Sequence, residues 1–458
     1  MAKKNGATNL RHHVQTALCL LPPLLLAVFF LLQLRTLDLL APLVRCATAS
    51  HPAAAVDDLV ERLRETATFL PLRDAREPRP GAWFISALKN DSSEPEGEAR
   101  NLVIPSAASN GRLLCVAAPP GVDATYALAW RDAMPRGAAL RPGLAFVSES
   151  SYDYRNLWHG LAALAPFASW HERGGCGARK QPPARWALFQ RGAARSGMSG
   201  WLTTLAQAAT GAEMVVEPFS TPQPVCFEKA VVFRRNMEGL SKERLRAAYD
   251  FMRCKARAHC GVADVGKAGG GDPSAPALRV TLLFRTGARA FKDEAAVSRV
   301  FEKECAHVAG CAVTTARADN LTFCDQVRLL SATDVLISSH GAQMTNLLFM
   351  EPNSSIMEFY PKGWRERAGG GQFVYRWMAS KAGMHHEGSW WDPDGEPCPG
   401  SNDVLSCYKD RQIGIDAAYF AQWAAKVFMT AKERKKFVAA LGTLAEEGQR
   451  HAAGCSCS

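Results

Sequence analysis

Within His340-Gly341-Ala342-Gln343-Met344-Thr345-Asn346 an imidazole, a glycine, a hydroxyl and an amide crowd one short stretch, and Glu358 follows on the next apolar run. An imidazole can carry a proton near neutral pH, and exposed turn amides favour an anion such as phosphate. The elements around these residues read as strand, turn, helix and strand. Asp334 to Ser338 has the length and apolarity of a buried parallel strand, and Ser339, His340 and Gly341 form the turn. From Ala342 the apolar positions Met344, Leu347, Leu348 and Met350 take helical spacing, which Pro352 and Asn353 end before a strand from Ile356 to Phe359. In such a βαβ unit ligands collect beyond the carboxyl ends of the strands. A βαβ unit with one Gly and one His in its turn is also common, so spacing alone leaves an ordinary turn open beside a nucleotide site.

The chain has 458 residues, 47% apolar and 21% charged, enough to bury large cores and to form two domains. Its net charge of +10 and pI near 9.0 come from Lys and Arg spread along the chain, without the basic-aromatic blocks of a nucleic-acid binder. Val14 to Leu34 is an uncharged run long enough to cross a hydrocarbon core of about 30 Å. It exceeds the apolar core of a cleaved signal peptide and lacks a small-x-small site directly after it. Lys3, Lys4 and Arg11 precede it, so the positive-inside bias predicts a cytosolic N-terminus and a lumenal remainder, a type II arrangement.

The cysteines suit an oxidising lumen, since they are irregularly spaced and lack the paired pattern of a zinc site. Cys254 with Cys260, Cys305 with Cys311 and Cys398 with Cys407 are near enough for local bridges, and the connectivity stays open. Sequons at Asn90, Asn320 and Asn353 are candidate glycan acceptors; Asn353, in the turn beside the presumed site, is the least expected to carry one.

The stretch with His340, Gly341, Ala342, Thr345, Asn346 and Glu358 resembles glycosyltransferase family 61. Upstream, Tyr154-Arg155-Asn156-Leu157-Trp158-His159 before an apolar helix is similar to that family's Asn-x-x-His signature, and Cys226-Phe227 to its Cys-Phe segment. The strand Leu278 to Phe284 runs into Arg285, with Arg289 following, as in the family; Gln326 also matches. One position departs: the family places an Asp where this chain has Ala163. The second Arg also lacks the family's following Asn-Glu-like stretch.

The resemblance implies an α/β protein of two Rossmann-like lobes in the GT-B architecture. The expected division is a cytosolic tail (1–13), a transmembrane signal anchor (14–34), a stem (35–80), an acceptor-side lobe (81–262), a Gly-rich linker (263–277), a nucleotide-sugar lobe (278–410), a helical segment returning toward the first lobe (411–445) and a tail (446–458). It implies an inverting transfer from a UDP-sugar to a glycan or glycoprotein in the Golgi or endoplasmic reticulum, with xylosyl transfer to an N-glycan preferred. Arg285 and Arg289 would grip the diphosphate, the amides from Gly341 to Asn346 would add to that grip, and no metal cofactor is expected. Glu358 would accept from the ribose hydroxyls, His340 would contact the donor, and Asn156 would lie on the acceptor side. With Ala163 unable to serve as the base, His159 takes that role, because an imidazole titrates in the useful range, and Asp153 stands second.

Bland readings accompany several of these. The basic run from Lys242 to Arg257 reads as a solvated helix face. Asp392-Pro-Asp394 reads as a turn rather than a metal-holding acidic pair. Ala163 favours a rival function, a carbohydrate-binding protein that keeps the fold without the catalysis.

Overall fold

Short apolar runs bounded by turn residues produce a mixed α/β fold with two sheets. The computed structural model describes residues 67–72, 101–150, 152–173, 182–233, 239–262, 277–364, 369–394 and 404–446. The expected anchor Val14–Leu34, most of the stem, Asn90, the Gly-rich run 263–276, Cys398 and the tail after 446 lie outside the described residues.

The first sheet comprises β1 (Leu70–Pro71), β2 (Asn101–Ile104), β3 (Leu113–Ala117), β4 (Thr125–Ala129), β5 (Ala139–Ser150), β6 (Pro183–Gln190), β7 (Ala193–Arg195) and β8 (Val225–Phe233). Its order is β1-β4-β3-β8-β5-β6-β7, with β2 also on β8. Only β5 with β6 and β5 with β8 are parallel. The expectation of a second Rossmann-like lobe is corrected here. The connections from β3 to β4 and from β6 to β7 are too short for a crossover, so those neighbours pair antiparallel. Leu70–Pro71, inside the stretch read as stem, pairs with β4, and Leu72 is buried. Three helices follow on this side of the chain: α1 (Leu157–Arg173), α2 (Gly200–Thr210) and α3 (Lys242–His259).

The second sheet comprises β9 (Leu278–Phe284), β10 (Cys311–Arg317), β11 (Val335–Ser339), β12 (Ser355–Tyr360) and β13 (His385–Trp391), joined through α4 (Glu294–Ala306), α5 (Phe323–Ser331) and α6 (Val374–Ala382). It is parallel throughout, in the order β10-β9-β11-β12-β13. The chain therefore steps outward from β9 in both directions, which makes the carboxyl ends of β9 and β11 the switch point where an open sheet parts into a crevice.

Between β11 and β12 the chain forms a 3₁₀ helix, Ala342–Phe349, rather than the α-helix that its apolar spacing predicts. Every residue from Gln343 to Phe349 is buried, so contacts on all sides, rather than a single apolar stripe, set its tighter winding. It lies in a core shared by both sheets. Phe167, Trp201 and Tyr249 on the first side belong to one cluster with Leu336, Met344 and Met378 on the second.

Two further expectations change. The run from Lys242 to Arg257 lies in α3, but Tyr249, Phe251 and Met252 are buried, and so are Arg253 and Arg257. Arg253 donates to the carbonyl of Met350, and Arg257 donates to Ser331, to the carbonyl of Phe349 and to Glu351. This face is a bridge to the second sheet rather than a solvated surface. After α7 (Val404–Asp410), the last helix α8 (Ala417–Glu446) packs on the second sheet, not back toward the first. Its Phe420, Ala424 and Phe428 share a cluster with Val280, Phe301 and Phe359, and Lys435 bonds Asp334 at 2.7 Å.

The disulfides include Cys305–Cys311 as expected, together with Cys115–Cys226 across β3 and β8. Cys260 pairs with Cys324, which corrects the local bridge to Cys254. That bond ties the end of α3 to the start of α5. A sequence separation of 64 residues explains why spacing did not reveal it.

Candidate functional site

β9 ends at Phe284, and the next residues turn back sharply. Gly287 and Arg289 both have positive φ, 69° and 61°. This brings Arg289 over the ring of Trp364 at 5.0 Å, while its amide bonds the carbonyl of Arg411 at 2.8 Å. Arg285 Nη1 donates to the carbonyl of His340 at 3.4 Å and to Gln343 Oε1 at 3.3 Å. Gly341 is required here by closeness, since its own backbone is extended (φ 167°). A Cβ on it would lie 2.0 Å from Arg285 Nη1.

These residues line a cavity of about 420 Å³ at the switch point. Of the residues singled out in the sequence, Asn156, His159, Arg285, Arg289, His340, Gly341 and Ala342 reach it; Asp153, Thr345, Asn346 and Glu358 do not. Trp158, Asp319, Trp364, Tyr375 and Lys409 are among the other residues of the wall. Trp158 stands inside the quoted Asn-x-x-His segment and was legible there. No local pattern marks Tyr375 or Lys409, which tertiary folding alone brings in.

Neither arginine has a carboxylate partner among the described residues, and the Nε atoms of both are buried without a hydrogen bond. Arg289 is pushed down to about 10, first by burial and then by the charge of Arg285. Burial likewise lowers Arg285. Two guanidiniums held close in a low-dielectric recess repel each other, and an anion bound between them relieves that cost.

The structure revises the acid–base expectations. Asn156 Oδ1 accepts from the amides of Trp158 and His159 at 3.1 and 3.4 Å, so it caps α1. His159 faces the cavity and stacks on Tyr152 at 4.0 Å. Burial, and then the charge of Lys409, push it down to about 4 rather than leaving it in the range of a good base. Asp153 is exposed and accepts from the amide of Arg155, outside the cavity. Ala163 is buried in the shared core.

Glu358 is fully buried behind the cavity, so it does not face a ribose. One carboxylate oxygen bonds His340 Nδ1 and the other His386 Nε2, each at 2.7 Å. Thr345 is fully buried, and Asn346 bridges the two sides of the fold by accepting from Trp201 Nε1 at 2.9 Å and donating to the carbonyl of Gln343. Gln326 donates to the carbonyls of Ala318 and Leu321, a structural role. Asp392 accepts from the amides of Asp394 and Gly414, the turn that the sequence suggested. Asn320 is exposed; Asn353 is also exposed, but it precedes β12 at the amino edge of the sheet, away from the cavity rather than beside it.

Burial alone would raise the Glu358 carboxyl, but the bonds from His340 and His386 outweigh it and hold the group at about 2. A folded value below the unfolded one stabilises the fold in full above about pH 4.5, and that stability is lost as pH falls toward 2. It amounts to about 3 kcal/mol. The unfolding free energies of wild type and Glu358→Gln are therefore expected to differ by a constant amount from pH 7 to 5 and to converge by pH 2; a gap that stays open to pH 2 contradicts this.

The chain is a mixed α/β protein in which the switch point of a parallel sheet opens on a recess lined by Arg285 and Arg289, a lining whose charge suits an anionic ligand. Residues 157–357 match the family model Glycosyltransferase 61, from the start of α1 into β12. The match, over somewhat less than half of the chain, supports the resemblance to glycosyltransferase family 61 that the motifs carry and points to a glycosyltransferase. No curated protein matches the chain. Among solved structures, the metal-soaked Flv1 flavodiiron core from Synechocystis sp. PCC6803 is similar over 46% of this chain and 44% of its own, with 12% identity and a TM-score of 0.24.

Proposed function

We propose that the protein is an inverting glycosyltransferase that moves a sugar from a UDP-sugar to a glycan or glycoprotein acceptor. The observation that carries this reading is the pair of half-buried guanidiniums of Arg285 and Arg289, which have no carboxylate partner among the described residues, beside Gly341 at the switch point. Charges fixed in that place stabilise negative charge developing on a departing diphosphate. In this reading the donor binds at the second sheet and the acceptor enters past Asn156 and His159. Val14–Leu34 anchors the chain as a type II protein with the catalytic part in the Golgi or endoplasmic reticulum lumen. The disulfides support an oxidising compartment. Xylose transferred to an N-glycan core is the preferred pair.

The test is release of UDP from a panel of UDP-sugars offered with glycan acceptors, in which UDP-xylose with an N-glycan core is expected to turn over. Turnover is expected to be unchanged in EDTA, because the arginines occupy the role of a metal; loss of activity in EDTA and its return with manganese would overturn the metal-free part. A second reading, carbohydrate binding without catalysis, is favoured by Ala163 and by the depressed His159. Binding of UDP-sugar with no UDP release from any pair in the panel would establish it.

A further inference from the structure

A second recess, separate from the cavity at the switch point, follows the outer edge of the parallel sheet. β13 is the last strand of that sheet. A hollow of about 440 Å³ runs past residues 386–389 and Trp391, and another of about 500 Å³ runs past residues 383–387. They share Arg376, His386 and Glu387, so together they form one groove. Neighbouring residues of a strand point to opposite faces, and a hollow lined by consecutive ones therefore lies along an edge. The groove follows the whole of β13, roughly 20 Å at about 3.3 Å per residue.

Resting on the reading of a glycan acceptor, we propose that this groove is a second saccharide-binding site, which holds a part of the acceptor glycan away from the point of transfer. The groove adjoins the cavity. Phe373 and Arg376 line the groove, whereas Val374 and Tyr375, between them in sequence, line the cavity, so one segment walls both. Two side chains of β12 also touch both. Glu358 bonds His340 in the cavity and His386 in the groove, and Tyr360 stacks on His340 at 4.7 Å and on Trp391 at 3.8 Å. The partition is one layer of side chains thick, and a branched or extended glycan crosses it by passing over Phe373.

The chemistry of the walls selects a sugar. Phe373 is 38% exposed and Trp377, one turn along α6, is 49% exposed, with the two rings 5.8 Å apart. Exposed aromatic rings grouped in this way mark a binding surface. Arg376 is exposed between them and has no ion pair among the described residues, whereas Glu387 is already met by Ser355 at 2.7 Å and by Arg434 at 3.2 Å. A pyranose fits this pattern: its C–H face lies on an aromatic ring, and the hydroxyls at its rim accept from a guanidinium. The open, largely polar groove does not suit a lipid tail. A peptide strand is also disfavoured, because Gly388 (φ 117°) and a register shift in the pairing with β12 distort the edge it would have to join.

The experiment is titration calorimetry of the full-length protein with two probes, an N-glycan core oligosaccharide and a xylan oligosaccharide, each with and without saturating UDP. At least one probe is expected to bind, with the same affinity in both conditions. Phe373→Ala and Arg376→Ala, checked for unaltered melting, are each expected to weaken that binding about 10-fold, through loss of the ring face and of the charged donor. Binding of neither probe, displacement of the probe by UDP, or wild-type affinity in both variants overturns the proposal. Those outcomes leave the donor reading intact, since UDP binding alone tests it. Conversely, a wild type that binds a probe through Phe373 and Arg376 but does not bind UDP supports the groove and defeats the donor reading.

Discussion

Arg285→Ala is expected to weaken UDP binding on the order of 100-fold, with thermal melting unchanged, because a charge-assisted contact to phosphate is lost and no ion pair among the described residues is broken. Gly341→Ala is expected to give a similar loss without removing any charge. Its Cβ would sit 2.0 Å from Arg285 Nη1 and 2.4 Å from Gln343 Oε1, and both are ends of flexible side chains. They can move aside at little cost in stability, but the guanidinium then leaves the recess. Arg285→Lys is not expected to restore binding, since an ammonium cannot reproduce the planar fork. Titration calorimetry with UDP reads all three variants; near-wild-type affinity in Arg285→Ala would remove the cation pair from the site.

Arg257→Ala is expected to destabilise the fold by about 3–5 kcal/mol, the loss typical of breaking a buried, fully bonded charge. Its guanidinium joins α3 to the far side of the 3₁₀ helix through Ser331, the carbonyl of Phe349 and Glu351. Removing it leaves that carbonyl and Ser331 without their donor in the core. Urea unfolding measures the change, and a shift below about 1 kcal/mol would return this helix to the solvated-face reading. Because the brace supports the segment that starts at Gly341, UDP affinity is expected to fall as well, though less than in Arg285→Ala.

The two variants separate what was readable along the chain from what was not. The strand-turn-strand path around Gly341, the run of Leu278 into Arg285 and the helix opened by Asn156 are local patterns, set by apolar runs, a cap and turn residues, and they fold where the spacing predicts. Arg257 and Glu358 are different. A basic residue on an amphipathic helix and an acidic residue in a strand look alike whether they face water or a partner, and their partners here are distant: Phe349 for the first and His386 for the second. The same holds for the winding of Ala342–Phe349, where burial on every side overrides the α-helical period.

The amino-acid sequence by itself determined the parallel second sheet, the placement of Gly341 and Arg285 at its carboxyl edge, and the resemblance to glycosyltransferase family 61, because these depend on short-range pattern and on motifs a few residues long. Tertiary structure alone decided that Glu358 backs His340 instead of meeting a ligand, that His159 is pushed down by burial and then by the charge of Lys409, and that the first sheet is mostly antiparallel. Each of those outcomes depends on burial and on charges brought together from remote parts of the chain, and electrostatics in a low-dielectric interior follows distance in space rather than distance along the backbone.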